Sequence, residues 1–145
     1  MTEDNGGFTA EERAAMKQRA EELRSTKGLK GAAKLTKELE ACADAIDALA
    51  GVDGDLARTV HRIVTEVAPQ LNPKTYYGFP AYATGGKVVA FVQPAAKFGT
   101  RYPTFTLTED AHLDDGPMWP VSFAVVEVTD AVEQRIRALV AQAIA

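Results

Sequence analysis

Residues 74–107 read KTYYGFPAYATGGKVVAFVQPAAKFGTRYPTFTL and hold most of the chain's aromatic residues between turn-forming glycines and prolines. Within them, residues 87–93 combine β-branched and aromatic side chains, a composition typical of a strand. Gly85 and Gly86 come directly before that segment, and paired glycines favour a tight hairpin turn. We therefore predict that residues 74–107 form the middle of an antiparallel sheet.

The first strand of this stretch should be interrupted. Residues 74–83 alternate with the period of a strand, but Pro80 has no N–H to donate to a neighbouring strand. We expect this strand to lie at a sheet edge or to break near Gly78. Further strands are predicted near residues 97–101, 104–107 and 118–128.

The chain before the sheet begins with a polar helix. Thr9 and Glu12 have the spacing of a capping box, in which each side chain bonds the backbone amide of the other residue. The predicted helix runs to about residue 24 and has only a narrow apolar edge. Such a helix buries little surface, so it should lie loosely on the body or project from it.

Three further helices are predicted from caps and apolar spacing. Residues 32–50 carry an apolar stripe at helical spacing, and Gly51 supplies a common helix end. Asp53 is a predicted N-cap for the next helix, as is Thr129 for the last one. Cys42 falls within the first stripe, which favours a buried small hydrophobe over a reactive thiol.

The order of these elements is helices, then a meander of strands, then a helix. It predicts an α+β fold in which an antiparallel sheet of about five strands packs against N-terminal helices and a C-terminal helix. The 145 residues suit a single domain. Residues 1–31 should form a leader, a polar helix and a linker, and residues 32–145 the α+β domain.

Composition bounds the classes of partner. The 16 Lys and Arg and 20 Asp and Glu give a net charge of −4, and residues 1–50 and 51–145 each hold eight basic and ten acidic residues. Because neither part is basic, nucleic acid is not an expected partner. A single cysteine, an acidic first segment and no apolar run of ~18 residues predict a cytoplasmic protein without a membrane partner. We expect a monomer or a weak homodimer.

Strong catalytic motifs are absent from the sequence. It contains no nucleophile elbow, no phosphate-binding glycine loop and no paired cysteines or histidines at zinc-ligand spacing. His61 falls outside the apolar face of its helix, so we predict a solvated surface histidine. No catalytic residue is therefore assigned from motifs.

An acidic loop offers weak metal ligands. Glu109, Asp110, Asp114 and Asp115 lie within seven residues together with His112, and carboxylate oxygens suit a divalent or ferric ion. The alternative is a solvated acidic turn, because the spacing matches no calcium loop and Asp-Asp-Gly is ordinary turn chemistry. We prefer the second interpretation.

Aromatic and cationic residues offer a second candidate site. Strand alternation would place some of them on a sheet face that the core does not use, with two cations at its rim, although others should be ordinary core residues. The candidate ligand-binding residues are Tyr77, Phe79, Tyr82, Lys97, Arg101, Tyr102 and Trp119.

Several short motifs resemble those of a known family. They are TYYGFPAY at 75–82, GKVV at 86–89, AKF at 96–98, TRY at 100–102 and MWP at 118–120. Together they resemble the YdhG-like family, a bacterial domain of unknown function, from about residue 49 to the C-terminus. The resemblance implies a small α+β domain, and because one member is described as a frataxin-like iron chaperone, it also implies iron as an alternative ligand.

Three functional hypotheses follow. The first is a non-enzymatic domain, with no cofactor, that binds a small anionic or aromatic ligand or a protein partner on the aromatic sheet face. The second is an iron chaperone that uses surface carboxylates. The third is an enzyme with Tyr77, Tyr82 or Lys97 as acid or base, for which the sequence shows no partner that would perturb their acidity.

Overall fold

The computed structural model describes residues 7–145 and confirms the α+β fold. In this range three helices precede the sheet, a one-turn helix lies between its third and fourth strands, and a helix closes the chain. The elements are α1 (Ala10–Ser25), α2 (Gly31–Asp47), α3 (Gly51–Val67), β1 (Asn72–Tyr76), β2 (Phe79–Thr84), β3 (Lys87–Gln93), α4 (Ala95–Phe98), β4 (Thr104–Leu107), β5 (Ser122–Ala124) and α5 (Asp130–Ala143). None of these helices is long and apolar enough to cross a membrane.

The five strands form an antiparallel meander in the order β1-β2-β3-β4-β5. The outer strands are therefore β1, which contains Pro73, and β5, which has three residues. The predicted break near Gly78 is confirmed, because the β1–β2 hairpin turns at Tyr77 and Gly78. The glycine pair predicted to form a hairpin connects β2 to β3.

One face of the sheet carries the main core. Tyr82 pairs with Ala90, and Ala90 with Leu107, so these three side chains share a face. Cys42 and Ile46 of α2 join the same buried cluster, together with the apolar faces of α3 and α5. Helices therefore cover this face, and the predicted burial of Cys42 is confirmed at 0% exposure.

The opposite face is aromatic at one side and polar at the other. Phe91 pairs with Thr106, and Thr106 pairs with Ser122. Tyr76 pairs with Phe79 on the same face, two residues along β2 from the partner of Phe91. The β1–β3 half of this face is therefore aromatic, and the β4–β5 half presents hydroxyls.

The capping predictions at Thr9 and Thr129 are confirmed. The Glu12 amide donates to Thr9 Oγ1 at 3.0 Å and the Thr9 amide donates to Glu12 Oε1 at 2.9 Å. Thr129 Oγ1 accepts from the Val132 amide at 3.2 Å. Both helices therefore begin where their sequences place the cap.

Four local predictions are wrong, the first being the helix end expected at Gly51, since α2 ends at Asp47 and Gly51 opens α3. The strand expected at residues 97–101 is replaced by α4 and a bend. Asp53 does not cap α3, which begins at Gly51 with Ala50 as N-cap, because the Asp53 side chain bonds the backbone of α4 instead. The long strand expected over residues 118–128 shortens to β5.

The apolar stripe of α2 is only partly buried. Its second half contributes Cys42 and Ile46 to the core, but Leu35 and Leu39 remain 44% and 45% exposed. Only the second half of the stripe is therefore a core face.

Candidate ligand-binding site

The β1–β2 turn consists of two residues in left-handed conformation. Tyr77 has φ of 53° and Gly78 has φ of 83°, and two consecutive positive values are what a type I′ hairpin turn requires. Glycine adopts this conformation without cost, but a tyrosine in it is strained. The surrounding contacts must therefore hold Tyr77 in place.

A carboxylate from α1 bonds both amides of this turn. The Tyr77 amide donates to Glu22 Oε1 at 3.1 Å and the Gly78 amide donates to Oε2 at 2.7 Å. The Glu22 side chain is only 9% exposed, and Arg19 Nη1 lies 3.5 Å from Oε1. Hydrogen bonds to an ionised acceptor are about twice as strong as neutral ones, so this contact fixes both α1 and the turn.

Lys97 of α4 lies against the same turn. A Cβ placed on Gly78 would overlap the Lys97 ammonium nitrogen and come within 2.8 Å of Gln18 Cγ. Partial burial lowers the pKa of Lys97, and the Glu22 carboxylate opposes this shift by favouring the charged ammonium. The turn therefore has two amide donors and a cation on one side.

The position of α4 is set by a buried carboxylate. Asp53 of α3 is 5% exposed and accepts from the Ala95 amide at 2.9 Å and the Ala96 amide at 3.1 Å. These are the free amides at the start of the short helix, which a side-chain acceptor normally caps. Asp53 thereby places the following Lys97 against the turn.

Below the turn lies an aromatic cluster. The ring of Phe79 is at its centre, with centroid distances of 5.2 Å to Phe91, 5.7 Å to Phe98 and 6.3 Å to Tyr77. The Tyr76 ring packs edge-on to Tyr77 at 4.6 Å. The aromatic cluster thus consists of Tyr76, Tyr77, Phe79, Phe91 and Phe98, and its packing gives the turn a rigid base.

An open cleft of about 790 Å³ lies between α1, the end of α2, the turn and α4. Glu21 and Glu22 line its α1 wall and Asp44 its α2 wall. Gly78, whose amide is bonded to Glu22, and Lys97 also line it. Among the described residues that line the cleft, Lys97 is therefore the one cation, beside three carboxylates.

Of the seven predicted ligand-binding residues, three lie around the β1–β2 turn, and of these Lys97 alone lines the cleft. Tyr77 and Phe79 belong to the aromatic cluster, and Lys97 lies beside the Gly78 backbone. Tyr82 is fully buried on the other face of the sheet, where its hydroxyl lies 3.0 Å from Nδ1 of His61. It is therefore a core residue.

The other three predicted residues lie elsewhere. Trp119 is half-buried against the main core. The Arg101 guanidinium lies 5.2 Å from the centroid of the Tyr102 ring, and both line a second cleft of about 370 Å³ with Gln93 and Thr104 at the ends of β3 and β4. The predicted set therefore falls into separate regions.

The four acidic candidates for a metal site are at the surface or paired with a cation. Asp110 lies 3.9 Å from the Lys87 ammonium, while Glu109, Asp114 and Asp115 are exposed. In the part of the chain that the structure describes, no three His, Cys, Asp or Glu side chains are grouped as a metal ion would require. Iron binding by this loop stays a prediction.

Sequence reasoning missed three residues that organise the site and the core. Asp53 is predicted only as the cap of its own helix and Glu22 has no predicted role, yet each bonds backbone amides more than 40 positions away. His61 is half-buried and bonded to Tyr82, so its predicted solvation is wrong. The one sequence signal for any of these contacts is Asp53, an acidic residue with no basic residue at a helical spacing that could pair with it.

No family model matches the chain, and neither a curated protein nor a solved structure matches it. The YdhG-like resemblance therefore stays a prediction that rests on the motifs alone.

Proposed function

We propose that the protein is a non-enzymatic binding domain that receives a small anionic ligand in the cleft beside the β1–β2 turn. The observation that supports this proposal is the position of Lys97, a partly buried cation that lines an open cleft beside the half-buried β1–β2 turn. Ligand sites commonly combine a concave surface, an apolar base and a few convergent polar groups. Ala41, Ala45 and Leu49 supply the apolar part of the lining, and the Gly78 backbone and Lys97 supply polar groups.

Replacing Lys97 with methionine tests the proposal. Methionine keeps much of the length of the side chain and removes the charge, so the cleft should keep its shape and lose affinity for anions. The matched control is Lys87→Met, because the Lys87 side chain is 74% exposed and lies outside this cleft.

The measurement is a thermal-shift screen of small anions and aromatic acids, with hits confirmed by calorimetry. A ligand that binds only the folded state stabilises it by about 2.7 kcal/mol at a concentration of 100 Kd. We expect hits that raise the Tm of the wild type and of Lys87→Met but not of Lys97→Met. An undiminished shift in Lys97→Met would contradict the proposal.

The iron-chaperone hypothesis is addressed by the same screen. Ferrous iron is added under anaerobic conditions to the wild type and to a double variant in which Asp114 and Asp115 become asparagine. Saturable binding that the double variant loses would support the acidic loop as the site instead.

A further inference from the structure

We infer that the Tyr77–Gly78 turn is a receptor for a carboxylate group, and that Glu22 of α1 occupies it as a tethered competitor that an external carboxylate displaces. This inference rests on the proposed function of the cleft and names its ligand class. It also assigns to α1 a role that differs from simple packing.

The chemistry of the contact supports a carboxylate. Two consecutive amides point to one side of the chain, and each meets a separate oxygen of Glu22 at 3.1 Å and 2.7 Å. Successive backbone N–H groups of this kind form a concave anion-binding site. Two donors that each take one oxygen match the two oxygens of a planar carboxylate.

The site also opens toward the solvent side of the cleft. Gly78 and Glu22 both line the 790 Å³ cleft, so an incoming carboxylate would reach the Gly78 amide from the cleft as the Glu22 side chain, which is 9% exposed, moves out. Lys97 stands beside Gly78 and would keep a positive charge next to an external carboxylate after Glu22 had left. The receptor is therefore complete without α1.

The remaining contacts of α1 are few. Within α1, all of which is described, Ala15 is the one buried residue, while Met16 and Leu23 are 40% and 56% exposed. Apolar burial contributes roughly 25 cal/mol per Å², so a single alanine contributes little to docking. The stacking of Arg19 on the Tyr76 ring at 5.0 Å adds one further contact.

A tethered competitor should reduce the affinity of the wild type for external ligands. A group on a short linker acts at an effective concentration on the order of millimolar, and only a short turn segment joins α1 to α2. Ligand and Glu22 therefore compete for the same two amides. Removing the Glu22 charge should raise the affinity of the site.

The experiment compares Glu22→Gln with the wild type by ¹⁵N NMR. Glutamine keeps the size of the side chain but replaces one acceptor oxygen with an NH₂ donor, which cannot accept from an amide. Glu21→Gln is the matched control, because it removes the same charge from the same helix and cleft without touching the two amides. Sodium acetate is titrated into each protein while the Tyr77 and Gly78 amide resonances are followed.

We expect saturable shifts of these two resonances in Glu22→Gln, with an affinity at least tenfold higher than in the wild type and in Glu21→Gln. A folded Glu22→Gln protein whose two amides do not respond to acetate would overturn the inference. If Glu22→Gln does not fold, Glu22→Asp replaces it, because its shorter side chain should hold the amides less well and also raise the affinity.

Two further probes test the source of the carboxylate and the class of the ligand. One is an acetylated Ala-Glu-Ala amide, whose single carboxylate is a side chain, and the other is inorganic phosphate. Tighter binding of the peptide than of acetate indicates a protein segment as ligand, and the reverse indicates a small acid. Tighter binding of phosphate than of either carboxylate would overturn the assigned class.

The result is separable from the screen with Lys97→Met. Ligands that depend on Lys97 but leave the two amides unchanged would keep the proposed cleft function and remove the carboxylate receptor. If the two amides respond to acetate but the screen finds no ligand, the carboxylate receptor would stand and the proposed function of the cleft would be removed.

Discussion

The Tyr82 hydroxyl on β2 lies 3.0 Å from Nδ1 of His61 on α3, and this contact joins the sheet to the helix layer inside the core. Burial lowers the pKa of His61 and raises the pKa of Tyr82 well above its usual value. Both shifts favour the neutral forms of the two side chains. The folded protein therefore holds a neutral pair at this position.

Acidification should weaken the folded state through His61. Its pKa is lower in the folded than in the unfolded chain, so its contribution is fully present above the unfolded value of about 6.5 and is lost as pH falls below it. Urea unfolding at pH 7.5, 6.5 and 5.5 should show a falling midpoint. The decline should be smaller in His61→Asn than in the wild type. It should be the same as in the wild type in His112→Asn, because His112 is exposed. Equal declines in all three proteins would contradict this prediction.

Gly78→Ala should destabilise the protein more than Gly86→Ala. Both glycines have positive φ, which costs an alanine about 1 kcal/mol. Only at Gly78 would the new Cβ also meet the Lys97 ammonium and Gln18, since the space around Gly86 is open. Chemical unfolding of the two variants gives the comparison, and equal losses would mean that Lys97 moves aside freely.

Asp53→Ala should lower the free energy of unfolding by about 0.5–2 kcal/mol, the range for loss of a helix cap. The two amides at the start of α4 would lose their acceptor, and α4 would no longer hold Lys97 in place. Asp55→Ala is the control, because Asp55 makes only an exposed pair with Arg58 at 3.2 Å and should cost less than about 1 kcal/mol. The measurement is urea unfolding. If Asp53→Ala loses no more free energy of unfolding than Asp55→Ala, the prediction is contradicted.

The Cys42 thiol should be unreactive in the folded protein. Burial raises its pKa to about 11, and a thiol must ionise before it attacks a disulfide reagent. At pH 8 we expect reaction with Ellman's reagent only after urea is added. The raised pKa also predicts that stability declines as pH rises from about 9 toward 11, because the unfolded chain ionises its thiol first; rapid modification of native protein at pH 8 would refute this account.

Features that depend on neighbouring residues could be predicted from the sequence. The strand at residues 87–93 and the capping box at Thr9 both follow from local composition, and both are observed as predicted. The α+β order could likewise be derived, since each element carries its own periodicity. These predictions required no knowledge of the tertiary fold.

Features that join distant segments could not be predicted in this way. The strand predicted at residues 97–101 gives way to α4, whose first amide bonds Asp53 from 42 positions away. The candidate site depends on Glu22 and Gly78, which are 56 positions apart. Only the packing of α1 across the turn brings them together, and no spacing in the sequence indicates it.

The two outer strands of the meander have a consequence for crowded solutions. An uninterrupted row of free N–H and C=O groups at a sheet edge invites another chain to add to it, which is a common start of aggregation. Here β1 has a proline within it and a lysine beside that proline, and β5 ends after three residues. Neither edge gives an incoming strand a long run of hydrogen bonds, so the fold resists chain-to-chain growth at both ends of its sheet.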